Sequence, residues 1–296
     1  MKDKLVSVIT VNYNGLQDTC ELIESLQKYE TYPYEIIVVD NASQGDDADK
    51  LIKQVYPFVK VVRSNKNLGF AGGNNLGAKY AEGEYLFFLN NDMVVKSPVM
   101  EVLVNRLSAD PLIAGISPMI RFFHRPSEIQ YYGYRDLSAV SVMRKTEYFD
   151  ISHMDEYHRA QKTEVLHGGA MMFHREAIEK VGWMTEVYFL FYEEFDWSRR
   201  FREAGYELWY EPASIVYHKE SSTIKPLTAF REFYLTRSRI IFTRRNNKGM
   251  VRILSCLYLI FISAPNKTQR YAREGNWHMI PSVWRGVFSG LLAKIQ

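Results

Sequence analysis

The chain has 296 residues, 47% of them hydrophobic and 24% charged, which is an ordinary globular composition and enough for one large domain or one domain with an appendage. Its two cysteines, Cys20 and Cys256, lie far apart with no metal-like spacing, which excludes a disulfide framework and fits a reducing compartment. The formal net charge of +3 hides an asymmetry: from Lys219 onward there are 14 Lys/Arg against 3 Asp/Glu, a net of +11, while residues 1–218 carry 23 basic against 31 acidic, a net of −8. A basic block of this kind faces anionic lipid, nucleic acid or an acidic partner.

Met1-Lys-Asp-Lys runs straight into a strand, which argues against a signal peptide. That strand, Leu5-Val-Ser-Val-Ile-Thr-Val11, is β-branched and stops on Asn12-Tyr-Asn-Gly15. Asp18 to Tyr29 places Leu22, Ile23, Leu26 and Tyr29 at helical spacing, and Pro33 ends the segment. Glu35-Ile-Ile-Val-Val-Asp40 is a second strand, stopping on Asp40-Asn-Ala-Ser43. A short helix over Ala48 to Val55 and a third strand over Val59 to Arg63 follow. The glycine-rich stretch Asn65 to Gly77 then opens a helix that runs through Tyr80. Next comes Tyr85-Leu-Phe-Phe-Leu89, a short aromatic run that reads as a buried strand and stops on Asn90, Asn91 and Asp92. Strands alternating with helices predict an α/β, doubly wound, mostly parallel sheet with helices on both faces.

The polar stops are the informative feature. Asn12, Asp40 with Asn41, Asn65 with Asn67, and Asn90 with Asp92 all fall at one edge of such a sheet, where ligands collect. In extended backbone Asn90 and Asp92 point the same way, with Asn91 turned from them. A carboxylate beside an amide oxygen suits a hard divalent cation that also holds phosphates, although Asn-Asn-Asp also reads as a plain turn. Asp40 suits a pyrimidine N–H or a ribose hydroxyl, and the Asn65–Asn74 loop, with Gly69 and Asn74, suits close backbone approach to a sugar or phosphate. The glycines spell neither GxGxxG nor GxxxxGK[ST], which argues against a dinucleotide fingerprint and against a P-loop.

Further along, Pro98 to Leu107 reads as a helix and Ala114 to Ile120 as a strand with a break. Phe122 to Asp155 is rich in aromatic and basic residues, but its pattern singles out no site residue. Leu166-His-Gly-Gly-Ala-Met-Met-Phe173 is a strand preceded by glycines, and Arg175 to Val181 a helix ended by Gly182. Glu193, Glu194 and Asp196 open a helix that stops at Gly205. Acids there complement the helix dipole, yet two adjacent carboxylates after an aromatic run also tend to separate in pKa, which is how a site obtains a base. Glu207 to Tyr210 and Ser214 to Tyr217 read as two short strands separated by Pro212 and followed by His218.

The tail, from residue 223, is a basic helical appendage to a domain of residues 1–222. Phe230 to Arg245 is helical. The apolar run Ile253 to Ala264 is about half of the roughly 20 residues that a membrane span needs. With Val283, Trp284, Val287 and Phe288 at helical spacing and Arg244, Arg245, Lys248, Arg252, Arg270, Arg273 and Arg285 nearby, the tail reads as an interfacial anchor on an anionic membrane surface rather than a nucleic-acid binder. The alternative is a helix pair packed on the domain or on a second copy in a homodimer.

Val8-Ile-Thr-Val-Asn-Tyr-Asn-Gly15, Ile37-Val-Val-Asp-Asn-Ala-Ser43, Asn67-Leu-Gly-Phe-Ala-Gly-Gly-Asn-Asn75 and Leu89-Asn-Asn-Asp92 together resemble the family 2 glycosyltransferases, nearest the bacterial rhamnosyltransferase-like branch. The resemblance implies a GT-A fold and an inverting transfer of a sugar from a nucleotide-sugar donor to a glycan or lipid-linked acceptor, at the inner face of the cell membrane. It implies dTDP-rhamnose as donor, with a UDP-hexose or UDP-N-acetylhexosamine as the alternative. Asp92 matches the third position of the family's DxD metal motif, Asn90 stands at its first, and His218 matches a histidine that serves some members as a metal ligand, so Mn²⁺ or Mg²⁺ is the implied cofactor. Glu194 falls at the catalytic base, a Glu where the family has Asp. Glu193 and Asp196 flank it and orient the loop and acceptor, Tyr234 and Arg237 match a segment beside the diphosphate, and Phe122–Asp155 corresponds to a variable acceptor region. Two other classes stay open: a nucleotidyltransferase, which needs a lysine-bearing triphosphate loop that Asn12-Tyr-Asn-Gly15 lacks, and a sugar-binding module, which needs no Glu193-Glu194 pair.

Overall fold

A computed structural model describes residues 5–44, 48–143, 157–220 and 228–295. The expected domain boundary at 222/223 lies outside the described residues, as does 144–156 of the aromatic stretch. The first half alternates strand and helix: β1 (Val6–Asn12), α1 (Leu16–Tyr29), β2 (Tyr34–Asp40), α2 (Ala48–Val55), β3 (Lys60–Arg63), α3 (Gly69–Ala78), β4 (Tyr85–Leu89), β5 (Met93–Val95) and α4 (Met100–Ala109). Then come β6 (Ile113–Phe122), β7 (Ile129–Tyr131), β8 (Gln161–Thr163), β9 (Ala170–His174), α5 (Arg175–Val181), α6 (Glu193–Glu203) and β10 (Glu207–His218).

The sheet runs β3-β2-β1-β4-β9-β6-β10-β5, with β7 on β6 and β8 on β10. Its first four strands are parallel, as the alternation predicts. Beyond β4 the sheet is mixed: β9 runs antiparallel to β4 and β6, and β5 antiparallel to β10. Period-2 alternation sends Val6 and Val8 into the layer under α1 and α4, and Ile9 into the layer with α3 and α6. Tyr85–Leu89 is buried along its whole length, as a strand covered on both faces must be. Each such side chain contributes about 1.5–3 kcal/mol.

Two expectations change here. Ile113–Phe122 is one unbroken strand, and Glu207–His218 is one strand rather than two. Both prolines sit at the same irregularity: Pro118 pairs with Glu211, the next pairing is Met119 with Ile215, and Pro212 falls in the bulge between. The missing N–H groups therefore lie where the ladder is already interrupted, and neither proline ends its strand.

The tail comprises α7 (Ala229–Asn246), α8 (Gly249–Tyr258), a π turn (Leu259–Ser263), α9 (Ala264–Arg273), a 3₁₀ turn (Trp277–Met279) and α10 (Ile280–Leu292). The π turn joins α8 to α9 without a break, so the apolar segment belongs to one 25-residue helix, Gly249–Arg273. By length and composition it is able to cross a membrane, which the apolar run alone is too short to do. Most of it lies outside the packed interior, while Leu259, Tyr271, Val283 and Val287 form a small core with Ile240 of α7.

Candidate active site

The in-register pairing of Asn12 with Asp40 levels the carboxyl ends of β1 and β2, and β4 ends beside them. A cleft of ≈ 370 Å³ opens at this edge. Asn41, Asn67 and Gly69 line one side, Asn90, Asn91, Asp92 and His218 another, and Phe70, Phe189, Leu190 and Phe230 an apolar wall.

Several asparagines brace the cleft, Asn41 and Asn91 while also lining it. Asn12 is buried; its Oδ1 accepts from the Gly15 N–H (3.2 Å) and the Thr19 hydroxyl (3.1 Å), and its Nδ2 donates to Ser43 Oγ (3.1 Å). Asn91 Nδ2 donates to Gly15 O and Thr19 Oγ1, tying β4 to the loop after β1. Asn41 Oδ1 accepts from the Leu68 N–H (2.9 Å) while its Nδ2 donates to Asn67 Oδ1 and Gly69 O. Asn74 is buried in α3 and donates to Phe70 O. Asp40 is buried below the cleft floor; one oxygen accepts from the Ser43 N–H, and the other lies 3.6 Å from Arg63 Nε. The amides thus knit four strand ends into one rigid rim.

Gly69 is required for closeness. It sits at φ +72°, and a Cβ there would fall 2.2 Å from Phe189 O, which accepts from the Phe70 N–H at 2.8 Å. The loop it meets is itself constrained: Phe189, Phe191 and Tyr192 all hold positive φ, a conformation that costs non-glycine residues about 1–2 kcal/mol each. Helix α7 holds that loop down. Arg237 Nη1 donates to Val187 O and Tyr188 O, both at 2.8 Å, its Nε donates to Ser289 Oγ, and Ser238 Oγ donates to Leu190 O. Three of the five Arg237 N–H donors therefore brace the wall of the cleft.

The antiparallel pairing of β5 with β10 sets Met93 opposite His218 and so delivers the imidazole to Asp92. His218 Nε2 lies 3.1 Å from Asp92 Oδ2, and its Nδ1 lies 2.8 Å from Gln130 Oε1. A ring nitrogen beside a carboxylate oxygen, with the other ring nitrogen oriented by Gln130, is a donor set that fits Mn²⁺ or Mg²⁺. No group of three or more His, Cys, Asp or Glu side chains is placed to hold a metal among the described residues. A hard cation held here would draw its remaining ligands from phosphate oxygens and water. No motif in the sequence singles out Gln130 or His167 as neighbours of His218. The His167 ring stands 6.3 Å from that of His218 and 5.5 Å from that of Tyr131, and its Nδ1 accepts from the Gly169 N–H.

The acids of α6 separate into three environments. Glu194 is half-exposed beside Gly168: a Cβ on that glycine would lie 3.6 Å from Glu194 Cβ and 3.7 Å from the tip of Phe70 in the cleft wall. The next residue, Gly169, accepts from the Asn90 N–H at 2.9 Å. One glycine turn therefore touches the Asn90 strand end on one flank and Glu194 on the other. Glu193 is buried, and burial first, then the charge of Glu194, pushes its carboxyl well above the usual range. Asp196 is buried and accepts from the Tyr188 hydroxyl (2.8 Å), Arg245 Nε (3.0 Å) and Asn246 Nδ2 (2.9 Å), with Arg200 Nε at 3.2 Å. It anchors α7 to α6 through Oδ2, while its Oδ1 is buried with no hydrogen-bond partner among the described residues.

The glycosyl transferase family 2 model matches residues 7–182. The hexosyltransferase Agl10 of Haloferax volcanii, named for low-salt glycan biosynthesis, is 25% identical over 67% of this chain and 61% of its own length. The Escherichia coli glucosyltransferase WfgD, named for UDP-Glc and a GlcNAc-diphosphoundecaprenol acceptor, is 27% identical over 36% of this chain and 42% of its own. The chain spans less than half the length of the first curated relatives it matches, among them an uncharacterised glycosyltransferase of Bacillus subtilis at 26% identity. Among solved structures, GalNAc-T7 with UDP, GalNAc and Mn²⁺ shares the fold with a TM-score of 0.64 at 20% identity, over 91% of this chain and 58% of that one. The mannosyltransferase PcManGT from Pyrobaculum calidifontis with GDP-Man and Mn²⁺ does so at 0.58 and 14%, over 97% and 87%.

Proposed function

Since the chain belongs to glycosyltransferase family 2, with the GT-A-type mixed sheet described above, we propose that it transfers a sugar from a nucleoside-diphosphate donor to a hydroxyl of a glycan acceptor, inverting the anomeric carbon. The observation that carries this reading is the Gly168–Gly169 turn, which sets Asn90, Asp92 and His218 on one flank and Glu194 on the other. Asp92 and His218 would hold a divalent cation, whose charge offsets that gathering on the departing diphosphate. Glu194 accepts the proton of the acceptor hydroxyl. The acceptor oxygen bonds to the anomeric carbon as the bond to the diphosphate oxygen breaks, and the electron pair leaves with the nucleoside diphosphate. Burial first, then the charge of Glu194, raises the Glu193 carboxyl well above the usual range, which lessens the negative charge beside Glu194.

Resemblance to the rhamnosyltransferase branch favours dTDP-rhamnose as donor. A UDP-hexose is the second reading, supported by the UDP-Glc donor for which WfgD is named. The tail docks the enzyme on the anionic inner face of the cell membrane. Met250 (67% exposed) and Phe261 (69%) project from the 25-residue helix, with Arg252 near its start and Arg270 and Arg273 at its end, an apolar face flanked by cations that suits the membrane interface.

The test is a screen of UDP-, GDP- and dTDP-sugars, with and without Mn²⁺, read by thermal shift and by release of nucleoside diphosphate. Glu194→Gln is expected to keep donor binding and abolish transfer. Full transfer in that variant removes Glu194 from the base role, and donor binding indifferent to Mn²⁺ removes the cation.

A further inference from the structure

We propose that a groove between α7 and α10 holds the apolar chain of a phosphate-bearing lipid acceptor, a reading that rests on the cleft being a sugar-transfer site. The groove, ≈ 290 Å³, is lined by Ala229, Phe230, Phe233 and Tyr234 of α7 and by Ser282 and Arg285 of α10. Phe230, 49% exposed, lines both this groove and the cleft. The rings between are continuous: Phe189 of the cleft wall stacks on Tyr234 at 4.7 Å and 27°, and Phe230 lies 4.8 Å from Tyr234. An apolar strip therefore starts at the mouth of the cleft and runs onto the tail.

Its chemistry selects the occupant. Hydrogen-bonding side chains there are confined to Tyr234, Ser282 and Arg285, whereas the rings of Phe230, Phe233 and Tyr234 offer an alkyl or isoprenyl chain apolar faces on which to pack. The exposed Arg285 guanidinium lies 5.9 Å over the Phe233 ring and joins no ion pair among the described residues. It is placed to meet the phosphate that links a sugar to such a chain. One and two turns further on the same face of α10 come Phe288 (60% exposed) and Leu292 (83%), which extend the strip outward from the groove.

Binding of farnesyl phosphate, farnesol and inorganic phosphate to the full chain, by calorimetry below the micellar concentration, tests the assignment. Farnesyl phosphate is expected to bind, farnesol about tenfold more weakly, the order of one charge-assisted contact, and inorganic phosphate not measurably. Arg285→Glu should reduce farnesyl phosphate affinity to that of farnesol, and Phe233→Ser should weaken both ligands, with UDP–Mn²⁺ affinity unchanged in each variant. Arg285 is exposed, so its variant keeps the test valid where Phe233→Ser destabilises the helix pair. Farnesyl phosphate binding that is absent, or equal in wild type and Arg285→Glu, overturns the proposal. So does a dimer by sedimentation that Phe288→Glu dissociates, because a second copy then fills the groove. Failure of the wild type to bind UDP–Mn²⁺ counts against the cleft reading, while the farnesyl phosphate readout still decides the groove.

Discussion

Asp92 Oδ2 and His218 Nε2 stand 3.1 Å apart across 126 residues of sequence, brought together by a three-residue antiparallel pairing at the far edge of the sheet. The pair is only as well aimed as the imidazole, and the imidazole is aimed by Gln130 at 2.8 Å.

Gln130→Leu should therefore lower Mn²⁺ affinity by roughly 10–100-fold, the usual cost of losing an outer partner of a metal-binding histidine. Titration of Mn²⁺ by electron paramagnetic resonance, with UDP present, measures it directly. Gln130→Glu, which still accepts from Nδ1, should recover most of the affinity. Equal affinity in wild type and the Leu variant would show that His218 needs no such orientation.

Asp196→Ala should cost about 3–5 kcal/mol, because it strands the Arg245 and Arg200 guanidiniums beside a buried, vacated site. The loss should appear as a lower denaturation midpoint and as faster amide exchange in α7. A change within about 0.5 kcal/mol, the range of ordinary surface substitutions, is the contrary result.

Gly69→Ala combines a positive φ with a Cβ placed 2.2 Å from the Phe189 carbonyl. The strained backbone costs about 1–2 kcal/mol by itself, and the clash moves α3 or the Phe189 loop. Donor affinity should fall more than the midpoint does, because the displaced atoms form the cleft wall. Calorimetry with the donor nucleotide, beside thermal melts, separates the two effects.

Glu193 predicts a pH signature. Its carboxyl holds a proton in the folded chain at pH values where the unfolded chain has released it, so the folded state binds more protons. Stability from this group is full below the unfolded value of about 4.3 and declines as pH climbs through the raised folded value. Glu193→Gln, similar in shape and always neutral, should match wild type near the unfolded value and exceed it increasingly toward neutral pH. A midpoint difference that stays flat across this range contradicts the assignment.

The strand ends were legible because a β-branched or aromatic run stopping on Asn or Asp needs no tertiary information, and Asn12, Asp40, Asn90 and Asp92 do fall at one sheet edge. The partners of those residues were not legible. Arg237 and Asp196 show their charge in the sequence, but not that Arg237 donates to the carbonyls of Val187 and Tyr188 or that Asp196 accepts from Arg245. Gln130 was invisible for a different reason: it lies in an aperiodic aromatic stretch, and only the pairing of β7 with β6 carries it to His218. Pro118 and Pro212 read as breaks because a sequence cannot reveal that two prolines share one bulge.

The clamp that Arg237 and Ser238 place on the Val187–Leu190 backbone means that the catalytic half and the tail are not interchangeable parts. A chimera that joins residues ahead of Ala229 to another enzyme's C-terminal half inherits a sheet and its polar rim, but loses the brace against which Phe189 and Leu190 are sprung. Engineering a new acceptor preference in this scaffold therefore means redesigning both halves together, with α7 as the hinge of the problem.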